Sequence, residues 1–339
     1  MTSPLGPSTV SCSIDLHAPG KRIGHLRINK ITNTAGWAST FIHIGCVVNG
    51  SGPTVLVLAG NHGDEYEGQI AVSRLARTLD PAKVQGRVIM PGAAYLEMAL
   101  AAGAPLFRGE PFAVTQVELV HPRAVDQDGA LTLQLVTNEE SSDSLRFQIA
   151  SRAVNAGNPT SWTVHAHGLL RRAAGGEAPM PGIDHERRAQ LAAVSPAEAY
   201  AALGQAGLDY GPALQGVTAL WRDDSAALGQ VRLTTATDMD TAAYQLHPAL
   251  LDACFQVPGG FFLASSNLDA YVPYRIDEFE IHARPPRDLW VLARKRTSSA
   301  NDDKSLVCDL VLLDEHETTI GTIAGFCMQK VAQADSKAA

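Results

Sequence analysis

The chain has no apolar run of membrane-spanning length, no paired-cysteine motif and no excess of positive charge. Each shortage excludes a class. A helix crossing a bilayer needs about 20 consecutive apolar residues. The five cysteines, Cys12, Cys46, Cys254, Cys308 and Cys327, are scattered without a CxxC pair. That argues against a disulfide scaffold and a cysteine-held zinc, and suits a reducing cytoplasm. A formal net charge of −8 gives no reason to expect nucleic acid as a partner. Gly175-Gly176 and Gly259-Gly260 lack the strand–turn–helix setting of a phosphate loop. The opening Met1–Ser8 has neither a basic nor an apolar stretch, so no secretory signal is expected. What is present, 45% hydrophobic and 18% charged residues over 339 positions, predicts a soluble, cytoplasmic, globular protein with room for one large or two ordinary domains.

The texture changes along the chain. Short strand-like runs at Gly24–Ile31 and Thr40–Val48 precede an Asn49-Gly50-Ser51-Gly52 turn. Thr54–Leu58 is continuously apolar, as a buried parallel strand would be, and Tyr66–Leu79 has helical spacing. From Pro91 to Ala102 nearly every residue is Ala, Leu, Met or Tyr, with Pro at the start and Gly103 at the end, which predicts a helix buried all round. Strand candidates follow at Val114–Val120, Leu131–Thr137, Arg146–Ala153 and Thr160–Leu170, then a Gly/Pro/Arg-rich linker over Arg171–Arg188. The second half repeats the pattern. Pro196–Gly207 and the apolar Pro248–Phe255 read as helices, and Thr218–Arg222, Ala226–Thr234, Asp277–Ala283, Leu289–Lys295, Leu306–Leu313 and Thr319–Lys330 as strands. The predicted class is α+β, with a long buried helix wrapped in antiparallel sheet occurring twice.

Asp252 is the candidate acid. It lies inside the apolar Pro248–Phe255 helix with no basic residue within a turn. An unpaired carboxylate is costly to bury, so such a group tends to stay protonated and can serve as a proton donor. Gln256, four residues on, shares its helix face and could orient it.

Four motifs in order carry a resemblance. They are Gly86-(x4)-Pro91-Gly92-Ala93-Ala94-Tyr95-Leu96-Glu97, Tyr200-(x2)-Leu203-(x3)-Gly207-(x2)-Tyr210-Gly211-Pro212 with Gln215, His247-(x4)-Asp252-(x3)-Gln256, and Val272-Pro273-Tyr274-Arg275-Ile276. From about residue 86 to 330 the chain resembles the dehydratase domain of modular polyketide synthases, a double hotdog fold. The resemblance implies loss of water from a 3-hydroxyacyl chain held by phosphopantetheine on an acyl carrier protein, with other synthase domains as further partners and no metal or organic cofactor. It gives Asp252 the acid role, and gives Tyr210, Gly211, Pro212, Pro91, Gly92 and Gln256 places along the substrate. The family's base is a His four residues before the Gly86 position, where this chain has Ala82. The family's first strand is also missing upstream of residue 84, and the open sheet edge this leaves invites a second copy of the chain, a homodimer.

Upstream, Gly60-Asn61-His62-Gly63-Asp64-Glu65-Tyr66-Glu67-Gly68 follows the apolar strand. Residues 13–90 resemble the N-terminal part of the succinylglutamate desuccinylase/aspartoacylase zinc deacylases, of the type that deacetylates N-acetyl-diaminobutyrate in ectoine breakdown. That resemblance makes His62 and Glu65 the first two zinc ligands of an amide hydrolase, the alternative activity. A third ligand is missing. His165 and His167 stand at a tempting distance, but a dehydratase strand accounts for them. Two ligands seldom fix zinc tightly. A non-catalytic, carrier-binding remnant is the other alternative, since Ala82 cannot act as a base. Arg171-Arg172 and Arg187-Arg188 flank the linker and are read as solvated rather than carrier-binding. The expected division is a partial α/β segment over 1–84, a first hotdog over 85–170, a linker over 171–195, a second hotdog over 196–332 and a tail over 333–339.

Overall fold

The computed structural model describes residues 10–12, 20–32, 36–48, 54–58, 82–121, 131–153, 162–173, 188–234, 244–263, 269–296 and 304–331. The first four of these segments are strands: β1 (Val10–Cys12), β2 (Gly20–Thr32), β3 (Gly36–Val48) and β4 (Thr54–Leu58), joined in sequence order as one sheet. All its ladders are antiparallel, including β3 with β4. The apolar run at Thr54–Leu58 is therefore a strand as expected, but not a parallel one. Continuous hydrophobicity reports burial on both faces and is silent about direction. The expected helix over Tyr66–Leu79, His62 and Glu65 lie outside the described residues.

The stretch where the two resemblances meet is a hairpin. Strand β5 (Ala82–Val84) pairs with β6 (Arg87–Ile89) through a two-residue turn at Gln85 and Gly86, both with positive φ, 50° and 76°. Positive φ at both turn positions matches the right-handed twist of the flanking strands, and Gly86 adopts it without a Cβ clash.

Helix α1 (Gly92–Leu106) follows, and every residue from Ala93 to Gly103 is buried. It runs past the Gly103 expected to end it. Gly103 instead lets Phe112 close on the helix, since a Cβ there would lie 2.3 Å from the Phe112 ring. Strands β7 (Phe112–Leu119), β8 (Leu131–Ser141), β9 (Ser144–Ala153) and β10 (Thr163–Arg172) wrap it in the order β7-β10-β9-β8.

The second unit uses the same architecture. It comprises β11 (Ala192–Val194), α2 (Pro196–Gln205), β12 (Leu208–Tyr210), β13 (Val217–Arg222), β14 (Ala226–Arg232), α3 (Pro248–Gln256), β15 (Tyr271–Ile281), β16 (Asp288–Lys295), β17 (Ser305–Leu313) and β18 (Thr319–Lys330). Its sheet runs β11-β13-β14-β16-β17-β18-β15, and pairing of β15 with β7 fuses the halves into one 11-stranded antiparallel sheet. Helix α3, buried at every residue, packs beside α1 in the shared core. The α+β double hotdog is thus the architecture of the chain, each apolar helix covering one sheet face.

A smaller apolar cluster of Leu191, Ala226, Leu228, Leu292, Val311 and Leu313 covers the outer face of the second sheet. Arg188, at the end of the expected linker, lies 5.4 Å over the Trp221 ring and 4.4 Å over Trp290. Arg171 pairs with Glu278 at 3.1 Å and Arg172 with Asp143 at 3.3 Å. These three arginines are engaged by the protein's own surface rather than left free in solvent.

Candidate active site

Helix α3 places Asp252 and Gln256 one turn apart, and both are buried. The Gln256 amide nitrogen donates to Asp252 Oδ2 at 2.8 Å and to the Leu214 carbonyl at 2.9 Å. Leu214 closes the 3₁₀ turn Pro212–Leu214, directly after β12 and Gly211. On the other side, the Tyr200 hydroxyl of α2 donates to Gln256 Oε1 at 2.8 Å and accepts from the Val217 amide at 3.0 Å. Four elements thus hold one amide, and that amide holds the carboxyl group. Among the described residues nothing hydrogen-bonds Asp252 Oδ1 or the Tyr210 hydroxyl.

The electrostatics follow from burial. Desolvation pushes the Asp252 carboxyl up from 3.8 to about 6, and the hydrogen bond from Gln256 opposes that rise. Gln256 donates to the ionised form, so the acid is tuned towards neutrality rather than locked neutral. On the order of a tenth of it stays protonated at pH 7. Burial also raises the Tyr210 phenol well above its ordinary value, and the Asp252 charge raises it further. Tyr200 is raised for the same reason. The Tyr200 and Tyr210 rings meet edge to face at 6.2 Å.

The hairpin completes the surroundings. Strand β5 pairs with β12, and Ala82 lies in register opposite Tyr210. The position counted as the family's base therefore sits on the strand paired with Tyr210, and it is alanine. Pro91 and Gly92 form the start of α1, where a Cβ on Gly92 would come within 2.8 Å of Leu119, so their contacts are those of a tightly packed helix entry. Gln215 donates to the Tyr210 carbonyl at 2.9 Å and holds the loop.

The two tempting histidines separate. His165 is fully buried, with Nδ1 donating to the His121 carbonyl at 2.9 Å and Nε2 bonded to Ser151 Oγ at 2.6 Å. His167, on the opposite face of β10, points outward to Glu118 at 3.6 Å. Residues two apart on a regular strand share a face, but the register shift between Val164 and Ala166 makes His165 the extra residue of a bulge and turns the two rings apart. Among the described residues no group of three His, Cys, Asp or Glu side chains is placed to hold a metal.

Two buried polar residues stand in the quoted motifs but received no role from the sequence. Glu97, in α1, accepts from the Gln245 and Leu246 amides at 3.0 Å each, just before α3. His247 caps α3, its Nδ1 accepting from the Ala249 amide at 3.2 Å. Glu97 carried the same signal as Asp252, a single charge in an otherwise apolar helix.

Comparison with known proteins agrees with this geometry. The model for the polyketide synthase dehydratase domain matches residues 55–152, and that for the polyketide synthase dehydratase N-terminal domain matches 178–338. The chain belongs to the polyketide synthase dehydratase family. The first match begins at residue 55, upstream of the boundary expected near 85. Polyketide synthase ThaG of Burkholderia thailandensis is 31% identical over 254 residues, 74% of this chain but 4% of that protein. The chain thus spans a small part of such curated relatives. The dehydratase domain from the CurF module of curacin polyketide synthase superposes with a TM-score of 0.67 at 27% identity, covering 75% of this chain and 89% of that one. An inactive His-to-Phe mutant of the CurK dehydratase superposes at 0.66 with 25% identity, covering 76% and 89%. The N-alpha-acetyl-L-2,4-diaminobutyric acid deacetylase of Halomonas elongata is 40% identical over 84 residues, a quarter of each chain.

Proposed function

We propose that this dehydratase domain binds 3-hydroxyacyl thioesters presented on the phosphopantetheine arm of an acyl carrier protein, and that its elimination chemistry is impaired at the base. The reaction would remove a proton from the α-carbon, form the α,β double bond from that electron pair, and expel the β-hydroxyl as water with a proton from Asp252. The thioester carbonyl acidifies the α-carbon, so two positioned groups suffice and neither metal nor organic cofactor is required. Asp252 Oδ1 and the Tyr210 hydroxyl are the open polar groups for the substrate hydroxyl. The observation that carries the reading is a buried acid near pH 6, oriented by Gln256, beside a strand whose base position is Ala82. In the CurK relative, a His-to-Phe change accompanies inactivity, the loss that Ala82 would bring here.

The test is mass-spectrometric detection of dehydration of a 3-hydroxyacyl-pantetheine thioester by the full chain and by Ala82→His. The expected result is little or no turnover by the natural chain, a gain in Ala82→His, and its loss again in Ala82→His/Asp252→Asn. Full activity of Asp252→Asn would remove the acid assignment, and brisk turnover by the natural chain would show that another group acts as base.

A further inference from the structure

The four-link network around Asp252 has a definite polarity. The Val217 N–H can only donate, so the Tyr200 oxygen accepts there and spends its single proton on Gln256 Oε1. The Leu214 carbonyl can only accept, so the amide group facing it is the NH₂ end. Both NH₂ protons are then committed, one to Leu214 and one to Asp252 Oδ2. An oxygen receiving that bond is held as an acceptor, which leaves Oδ1 to carry the proton.

We propose that Tyr200 is a positioning residue for the acid: by clamping the oxygen end of the Gln256 amide it fixes which oxygen of Asp252 is free to carry and deliver a proton. This role rests on the dehydratase reading for its purpose, but not for its detection. Removing the hydroxyl leaves Gln256 Oε1 buried without its donor, so that Leu214 and, while it is ionised, the Asp252 carboxylate are what resist rotation of the amide. A rotated amide would turn Oε1 towards Asp252 and favour the protonated acid. The other titratable groups near Asp252 are Tyr200 on α2, Tyr210 on β12 and Cys254 on its own helix, all pushed upward by burial. His247, at the head of that helix, is pushed down to about 4. A titration between pH 5 and 8 therefore reads Asp252.

The experiment follows the ¹³Cγ signal of Asp252 against pH in aspartate-labelled full-length protein, the signal being assigned by its loss in Asp252→Asn. Tyr200→Phe keeps the ring and deletes only the hydroxyl. Its midpoint is expected to rise by about half to one pH unit, the size of one buried hydrogen bond. In a Gln256→Leu background, where the amide is already gone, Tyr200→Phe should add nothing further. An unchanged midpoint in Tyr200→Phe, or an equal rise in both backgrounds, would overturn the proposal, because a ring that merely packs is preserved in Phe. No turnover is needed for this readout. A shifted midpoint in a chain that never dehydrates the thioester, even as Ala82→His, would keep the positioning role and dismiss the dehydratase reading alone.

Discussion

At the scale of single residues, helix α3 holds two groups displaced in opposite senses. Asp252 is raised from 3.8 to about 6, so between those values the native state keeps a proton that the unfolded chain has lost. Its contribution to stability therefore falls as pH rises through that window, reaching roughly 3 kcal/mol of destabilisation near neutrality. His247 is lowered from 6.5 to about 4 by burial and then by the Arg287 charge. Its contribution is present above 6.5 and is lost as pH falls towards 4. The two slopes oppose, and the natural chain should show little pH dependence from this pair. Asp252→Asn separates them: in urea unfolding its stability relative to the natural chain should climb from near zero at pH 4 to about 3 kcal/mol at pH 8. A flat difference would place Asp252 in contact with water. A gain in stability from deleting an acid is the usual mark of a group kept for chemistry.

At the scale of elements, what matters is how two helices from different halves are held together. Glu97 reaches from α1 to the two amides preceding α3, across nearly 150 positions. Its carboxylate satisfies two buried N–H groups that would otherwise be stranded at the entry to the acid-bearing helix. Glu97→Ala should cost about 3 kcal/mol in chemical denaturation with an unchanged m-value, and Glu97→Gln, which keeps one acceptor, about half as much. A loss below about 0.5 kcal/mol in both would mean that solvent substitutes for the clamp. The elements themselves were mostly legible, because an apolar stretch with Pro at its head and alternating strands behind it has few other solutions. Ends were less so. Gly103 reads as a stop by residue type, yet its missing Cβ serves the Phe112 ring, a partner that only packing supplies.

At the scale of the whole molecule, the fused sheet ends at β8 on one side, with β4 lying close by. No ladder joins β8 to β4 among the described residues, and Val136 on β8 is 39% exposed. Unpaired, partly apolar edges recruit other strands. Light scattering of the full chain should therefore show association that grows with concentration and weakens in Val136→Lys. A monodisperse monomer for both would speak against the edge. The likeness to a deacetylase covers 84 residues, and the two zinc ligands expected from the sequence, His62 and Glu65, lie outside the described residues. Metal analysis of protein loaded with zinc and then dialysed should find well below one ion per chain, and a tightly retained equivalent would revive the hydrolase reading.

What could be read from the residues alone was chemistry that depends on local order: Asp252 isolated in an apolar helix, Gln256 one turn away, Tyr210 before Gly211 and Pro212, and alanine at position 82. Helical and strand periodicity carry such information because neighbours in sequence stay neighbours in the fold. The tertiary structure decided everything that depends on residues distant in sequence. It put Tyr200, Leu214 and Val217 around one amide, faced His165 into the core and His167 away from it, and set Ala82 in register with Tyr210. Those placements arise from sheet register and helix packing, which are settled jointly by many contacts, and no single stretch of chain encodes them.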